Sequence, residues 1–432
     1  PVDETIEYKL PEEEQVCHQC EGPLHEMSTQ TRRELKFIPA QVKVVQHVRH
    51  VYACRACERD ETSTPIVTAP MPAPPIPGGL ASPSAIAYVM SQKYGEGLPL
   101  YRQEQALKRL GVPVSRQTMA NWIVTGSTRW LEPVYAHMRK ALLRRDILQA
   151  DETPVQVLRE PGRKAETKSF MWLFRTGRDG PPIALFDYQP TRAAEHPRRF
   201  LSGFSGYLHV DGYAGYESVP GVTLVGCWAH ARRKFDEALK SLPSSARSGR
   251  RVVAQEGLEY CNRLFSIEAS LKNASAAYRH EQRLLRSRPV LDGFKAWLDA
   301  EGPKALPKSA LAKAITYCQN QWGKLVAFLE DGRLEISNNR SERSIKPFVI
   351  GRKNWLFANT PRGARASAVV YSIVETAKEN GLRPFEYLTH LFERLPNVDL
   401  TDPAALDALL PWSETLPEAC HAKARRKAQS PA

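Results

Sequence analysis

No apolar run in the 432-residue sequence approaches the ~18 residues that a membrane-spanning helix needs. A basic, apolar, small-residue leader of the kind that directs secretion is also missing. Both absences argue against a helical membrane protein and a secreted one. Cysteine is sparse. Of eight cysteines, four form two Cys-x-x-Cys pairs and the rest are scattered, a usage that fits a reducing compartment with a metal site and not a disulfide framework. Acid is in deficit as well: 47 Asp and Glu against 60 Lys and Arg leave a net charge of +13, with pI about 9.3. Such an excess selects a polyanionic partner, nucleic acid before an acidic membrane surface. The length is too great for one small core, so two to four domains are expected.

What is present divides the chain in order. Residues 1–65 read as a zinc ribbon, with Cys17 and Cys20 in one pair and Cys54 and Cys57 in the other. Gly22 is placed to let the backbone turn, and the valine-rich Gln41–Tyr52 reads as hairpin strand. Four thiolates close a tetrahedral Zn²⁺ shell, which makes the zinc structural. His18, His25, His47 and His50 are alternative ligands but read as surface residues. Residues 66–83 form a Pro-rich linker, semi-rigid and extended. Residues 84–145 read as helices, with Gly111 in a turn and Ser115 capping a helix from Arg116 to Val124. This matches a helix-turn-helix, which would turn Arg116, Gln117 and Asn121 towards base edges or phosphates. A helical hairpin with no DNA partner is the plain alternative.

Residues 146–231 switch to strands: Ile147–Val157, Ser169–Arg175, Pro182–Tyr188, then after a helix at Arg192–Leu201, Gly206–Val210 and Val222–Cys227. Three strands, a helix and two more strands is the order of a ribonuclease-H-like α/β fold. Residues 232–333 are helical and basic, a helical insertion that interrupts it. Residues 334–396 resume the catalytic domain, and 397–432 form a Pro- and Ala-rich tail expected to fray.

Acids fall at telling places in this frame. Asp151 is read as ending the first strand and Asp211 the fourth, with Gly212 and Gly215 giving the turn room and Tyr213 and Tyr216 beside it. The first and fourth strands of such a sheet are neighbours, so the two carboxylates should converge. Glu342 is the candidate third acid, in the second turn of a helix capped by Ser337. Glu335 and Glu375 compete for that place, and an ion pair with Lys346 is the alternative role for Glu342. Three hard oxygen ligands suit Mg²⁺ or Mn²⁺, and two such ions would serve in-line displacement at phosphorus. Arg340, Arg343, Lys346, Arg352 and Lys353, with Arg232, Arg233 and Lys234, could hold a phosphodiester backbone. His230, in Cys227-Trp228-Ala229-His230, is placed near the scissile phosphate or else in the core, and Cys227 reads as a buried thiol. Adjacent strand residues face opposite ways, so Glu152 should point away from the metals.

The blocks ADETPVQV, HVDGYAGYE, GCWAHARRKFDEA and ISNNRSERSIKPFVIGRKNWLF, with LLPW near the end, resemble the DDE transposases of the insertion sequence sixty-six family. The resemblance implies that Asp151, Asp211 and Glu342 are the catalytic triad and supports His230 as part of a Cys-x-x-His signature. It implies two Mg²⁺ (or Mn²⁺) per active site, and double-stranded DNA as partner, both element ends and target. A homodimer or higher oligomer on DNA, accessory proteins of the same element and a place at the bacterial nucleoid are further expectations. So is a preceding helical segment, since this sequence starts at Pro1. A ribonuclease-H-like nuclease that cuts without joining is the enzymatic alternative. A catalytically inactive DNA-binding descendant of a transposase is the other.

Overall fold

The structure is a computed structural model that describes residues 5–15, 19–33, 41–55, 57, 66–243 and 251–422. It falls into two units, residues 1–46 and 47–432. In the first, the N–H of Leu24 bonds the Gln15 carbonyl at 2.8 Å and closes a turn that carries Cys20. Among the described residues of that turn, the left-handed one is Glu21, with φ 57°. Cys17 lies outside the described residues.

The second unit opens with β1 (Val51–Ala53), antiparallel to β2 (Ile66–Thr68). The strand signal from Gln41 onwards is therefore confined to its end, and β2 occupies the first residues assigned to the linker. The proline-rich segment does not float. Trp130 Nε1 donates to the Pro75 carbonyl at 2.8 Å and Ala73 N–H to Asn397 at 2.8 Å, which lays the segment along the helices. Those helices are α1 (Pro83–Met90), α2 (Leu100–Arg109), α3 (Arg116–Gly126) and α4 (Glu132–Leu143). The Ser115 hydroxyl accepts the Thr118 N–H at 3.1 Å, the N-cap bond that starts α3.

A mixed sheet follows: β3 (Ile147–Val157), β4 (Lys168–Thr176), β5 (Ala184–Gln189), then α5 (Glu195–Phe200), β6 (Gly206–His209) and β7 (Val222–Val225). The order is β5-β4-β3-β6-β7, antiparallel on the β4 side of β3 and parallel on the β6 side. The helical insertion comprises α6 (Trp228–Lys240), α7 (Val253–Ser270), α8 (Ala276–Gln282), α9 (Arg288–Glu301), α10 (Ala310–Asn320) and α11 (Trp322–Val326). Its core of Trp228, Phe235, Cys261, Phe294 and Cys318 meets the sheet at Ile147 of β3 and Val225 of β7.

The chain returns through α12 (Asn339–Trp355), β8 (Phe357–Ala358), α13 (Pro361–Glu379), α14 (Pro384–Arg394) and α15 (Pro403–Asp407). Two buried arginines hold the way back. Arg283, 1% exposed, bonds both Glu268 oxygens at 2.7 Å and the carbonyls of Phe328, Asp331 and Leu334, and Arg279 bonds the Gly332 carbonyl at 2.7 Å. α13 is buried along almost its whole length from Ala364 to Ala377 because it lies between β5 and the helices α3 and α14. One continuous core therefore joins α1–α4 to the sheet, and the helix-turn-helix segment is not a separate body. Nor is the tail loose as far as Ala422. Leu406, Leu409, Leu410, Leu416 and Cys420 are buried, and Arg383 N–H bonds the Cys420 carbonyl at 2.7 Å. Leucines with an apolar face to cover dock on it whatever the prolines around them. No helix among the described residues is long and apolar enough to cross a membrane.

Candidate active site

β3 is longer than either parallel neighbour, and this makes the site. β6 pairs with Ile147–Gln149 and β8 with Gln156–Val157, while β4 occupies the opposite edge throughout. Between β6 and β8 the edge is open from Ala150 to Val155, and Asp151 stands in this notch. It lies mid-strand and not at a strand end, because pairing with β4 carries β3 on past it. The register Gln149↔His209, continued two residues, sets Asp151 beside Asp211. Asp211 lies just beyond β6, in a turn that Gly212 makes at φ 105°. Its Oδ1 accepts the Tyr213 N–H at 3.0 Å, and its carbonyl accepts the Tyr317 hydroxyl at 3.1 Å.

Glu342 comes from the first turn of α12, one turn earlier than expected. Asn338, and not Ser337, precedes this helix, and its side chain caps nothing. Asn338 Nδ2 donates instead to the Ala150 carbonyl at 2.9 Å, and Ser341 N–H to Gln149 Oε1 at 3.2 Å. The helix start is thus stitched to the notch in β3, close enough for the charge of Glu342 to act on Asp151.

The electrostatics report the convergence. The Asp151 carboxyl is pushed up to about 8, first by burial and then by the charges of Glu152, Asp211 and Glu342. Burial holds the His230 imidazole below its ordinary 6.5, against the pull of Glu342 and Asp211. His230 Nε2 lies 3.7 Å from Glu342 Oε1, and Arg233 lies 3.7 Å from Oε2. Glu342 Oε1 and His230 Nδ1 are buried with no hydrogen-bond partner. A buried Asp151 carboxyl raised by the acids around it, beside a glutamate with an orphaned oxygen, fits a hard divalent cation.

The rival acids are otherwise engaged. Burial raises Glu335, but Arg340, at 3.1 Å to both its oxygens, outweighs this and holds it below its ordinary range. Glu375 is buried on α13 and bonded by Lys378 at 3.0 Å. Glu152 does not stand apart from the acids as expected: its charge is the largest acting on Asp151, and burial and then Asp211 raise its own carboxyl. Its side chain is 2% exposed, bonded by Arg192 Nε at 2.8 Å and the Tyr216 hydroxyl at 2.5 Å. Arg192 lies over the Tyr213 ring at 3.9 Å, and the Tyr213 hydroxyl donates to the Arg192 carbonyl. This clamp ends on Tyr213, whose N–H holds Asp211. Sequence reasoning missed Arg192, since nothing in its local pattern links it to Glu152.

An open groove of about 700 Å³ runs beside Glu342, lined by Arg232, Arg233, Arg343 and Lys346 with Phe265 and Asn339. Lys353 is exposed at the far end of α12. The other cations named from sequence are turned elsewhere: Arg340 onto Glu335, Arg352 onto the Thr153 hydroxyl at 2.9 Å, and Lys234 over the Tyr317 ring at 4.9 Å. Arg116, Gln117 and Asn121 are exposed on α3, with Gln117 Nε2 bonded to Asn121 Oδ1 at 3.2 Å. Cys20 lies in the first unit, Cys54 and Cys57 in the second.

The family model described as "Transposase IS66 family" matches residues 78–366, the "zinc-finger binding domain of transposase IS66" residues 14–58, and the "IS66 C-terminal element" residues 372–412. Among similar proteins, "Uncharacterized protein y4jD" of Sinorhizobium fredii (strain NBRC 101917 / NGR234) is 33% identical over 415 residues, 93% of this chain and 78% of its own length. "Uncharacterized protein y4qI" of the same strain is 33% identical over 431 residues, 95% of this chain and 75% of its own. A zinc-finger domain supports structural Zn²⁺. With its match spanning the helical segment, the sheet and the insertion, the chain belongs to the IS66 family of transposases.

Proposed function

We propose that the protein is a DDE transposase that binds the terminal inverted repeats of its element, cuts the DNA there and joins the freed 3′-hydroxyl to target DNA. The observation that carries this reading is the meeting of Asp151, Asp211 and Glu342 at the notch in β3, with an orphaned Glu342 oxygen beside a cationic groove. The strand order β5-β4-β3-β6-β7 supports a ribonuclease-H-like catalytic core. Asp151, Asp211 and Glu342 would hold two Mg²⁺ (or Mn²⁺), which lower the pKa of an attacking water or 3′-hydroxyl and stabilise the leaving oxygen.

The chain's own residues do the rest. Arg232, Arg233, Arg343 and Lys346 hold the phosphodiester backbone along the groove. Neutral His230 can hold or pass a proton at its Nε2, 3.7 Å from Glu342. The clamp Glu152–Arg192–Tyr213 fixes the Asp211 carboxylate. Arg116, Gln117 and Asn121 on α3 read the element end, and the zinc ribbon of Cys17, Cys20, Cys54 and Cys57 grips DNA with its own cations. Arg340, Arg352 and Lys234, given their partners, are assigned structural posts and not phosphate contacts. Partners are double-stranded DNA, a second copy of the chain on it, and accessory proteins of the same element, at the bacterial nucleoid.

The test incubates the protein with labelled element ends, plasmid target and Mg²⁺. Joined products are expected, and Asp211→Asn should abolish joining while leaving end binding nearly intact. Cleavage without joining would point to a nuclease, and binding without cleavage to an inactive DNA-binding protein. Joining retained by Asp211→Asn would overturn the site.

A further inference from the structure

The acids at the notch are hard ligands, but a soft one lies beside them. Cys227 immediately precedes α6, fully buried, and its sulfur accepts the Asn338 N–H at 3.2 Å. The N–H of His230 bonds the Cys227 carbonyl at 3.2 Å, so the imidazole sits one turn along the same helix. Glu342 approaches from α12. One ligand atom from each of the three lies within 4.8 Å of the others. His230 Nε2 and Glu342 Oε1 are already 3.7 Å apart, close to the separation of two ligands on one tetrahedral ion with bonds of about 2.0–2.2 Å. His230 Nδ1 and Glu342 Oε1 have no hydrogen-bond partner. Mg²⁺ selects oxygen and avoids sulfur, whereas one thiolate, one imidazole and one carboxylate suit Zn²⁺ and leave a fourth position open. The N–H···S bond from Asn338 would orient the sulfur, as outer-shell bonds to metal ligands do.

We infer that Cys227, His230 and Glu342 form a zinc site that competes with the hard-ion site for Glu342. The competition rests on the reading of Glu342 as the third catalytic ligand; the zinc site itself does not. Glu342 has one unpartnered oxygen, and its other faces Arg233. Zinc held by Cys227 and His230 withdraws that oxygen from the aspartates, so Zn²⁺ acts as a brake on a Mg²⁺-dependent reaction.

The test uses the full chain with its ribbon zinc in place. Equilibrium dialysis against Zn²⁺, read by elemental analysis, is compared between the native chain, Cys227→Ser and Glu342→Gln, with circular dichroism melts to establish folding. Co²⁺ added to the same proteins reports sulfur ligation by its charge-transfer band. The native chain should bind one ion more than Cys227→Ser. Glu342→Gln, which keeps the thiol and the buried helix contacts, should bind that ion at least about tenfold more weakly, no less than loss of an outer-shell partner costs. Equal uptake by all three proteins, or a Co²⁺ band unchanged by Cys227→Ser, overturns the site. In the joining assay, Zn²⁺ should inhibit the native chain and spare whatever activity Cys227→Ser retains. Extra zinc bound without inhibition overturns the competition. Failure of the native chain to join under Mg²⁺ alone overturns the functional reading, and the dialysis still decides the zinc site.

Discussion

Metal binding at the notch should release a proton, and the size of the effect follows from Asp151. Its carboxyl is pushed up to about 8 by burial and by neighbouring acids, whereas a metal ligand must be deprotonated. Below pH about 8 the apparent affinity for Mg²⁺ should therefore climb about tenfold per pH unit, or ~1.4 kcal/mol. Above that it should flatten. From pH about 6 to about 8 the rise is roughly a hundredfold. His230, held below 6.5, is neutral through most of this window and does not contribute the proton. Stability without metal runs the other way. The folded value lies above the ordinary 3.8, so the contribution of Asp151 is complete below that value and is lost as pH rises through about 8. Calorimetric titration in two buffers of different ionisation enthalpy measures the proton directly. Close to one proton per first ion is expected at pH about 7. Asp151→Asn should remove it and raise the metal-free melting temperature at that pH. An affinity constant to within about twofold across the window, with no proton released, would refute the reasoning.

Other perturbations separate the parts. Glu152→Gln breaks the clamp on Tyr213 and should raise the Mg²⁺ concentration needed for joining by about 10–100-fold, as loss of an outer-shell partner does; end binding measured by gel shift should barely move. Arg283→Met leaves Glu268 facing an apolar side chain in the junction and should cost about 3–5 kcal/mol in urea denaturation, where a loss below about 1 kcal/mol would remove that junction from the account. Arg343→Ala and Lys346→Ala should each lower the slope of log affinity against log salt by about 1; an unchanged slope would place the DNA outside the groove.

The bounds of β3 match the sequence reading residue for residue, because β-branched residues and a rough alternation are local signals. Those bounds already put Asp151 inside the strand; the notch around it was not legible. It depends on β4 pairing as far as Gln156 and on β8, a two-residue strand nearly two hundred positions away, and no local pattern announces either. The start of α12 was misread for the same reason: Ser337 has good cap chemistry, but Asn338 is the residue that bonds β3. The candidate acids were chosen from strand and helix context. The Arg192 half of the clamp was not, since its partners Glu152 and Tyr213 lie on other elements. Prolines suggested a semi-rigid linker between domains and a frayed tail. Trp130 holding the Pro75 carbonyl and the burial of Leu406, Leu409, Leu410, Leu416 and Cys420 show tertiary burial overriding composition.

The insertion separates the second acid from the third, and this matters while the chain is being made. Asp151 and Asp211 leave the ribosome early, but Glu342 follows only after α6–α11. At roughly 5–20 residues per second that interval lasts on the order of ten seconds. If these acids act as proposed, a nascent or prematurely ended chain carries two carboxylates without the helix that brings the third, and would not cut the DNA from which its own message is being copied. Placing the last proposed ligand late in translation would tie strand breakage to a finished protein.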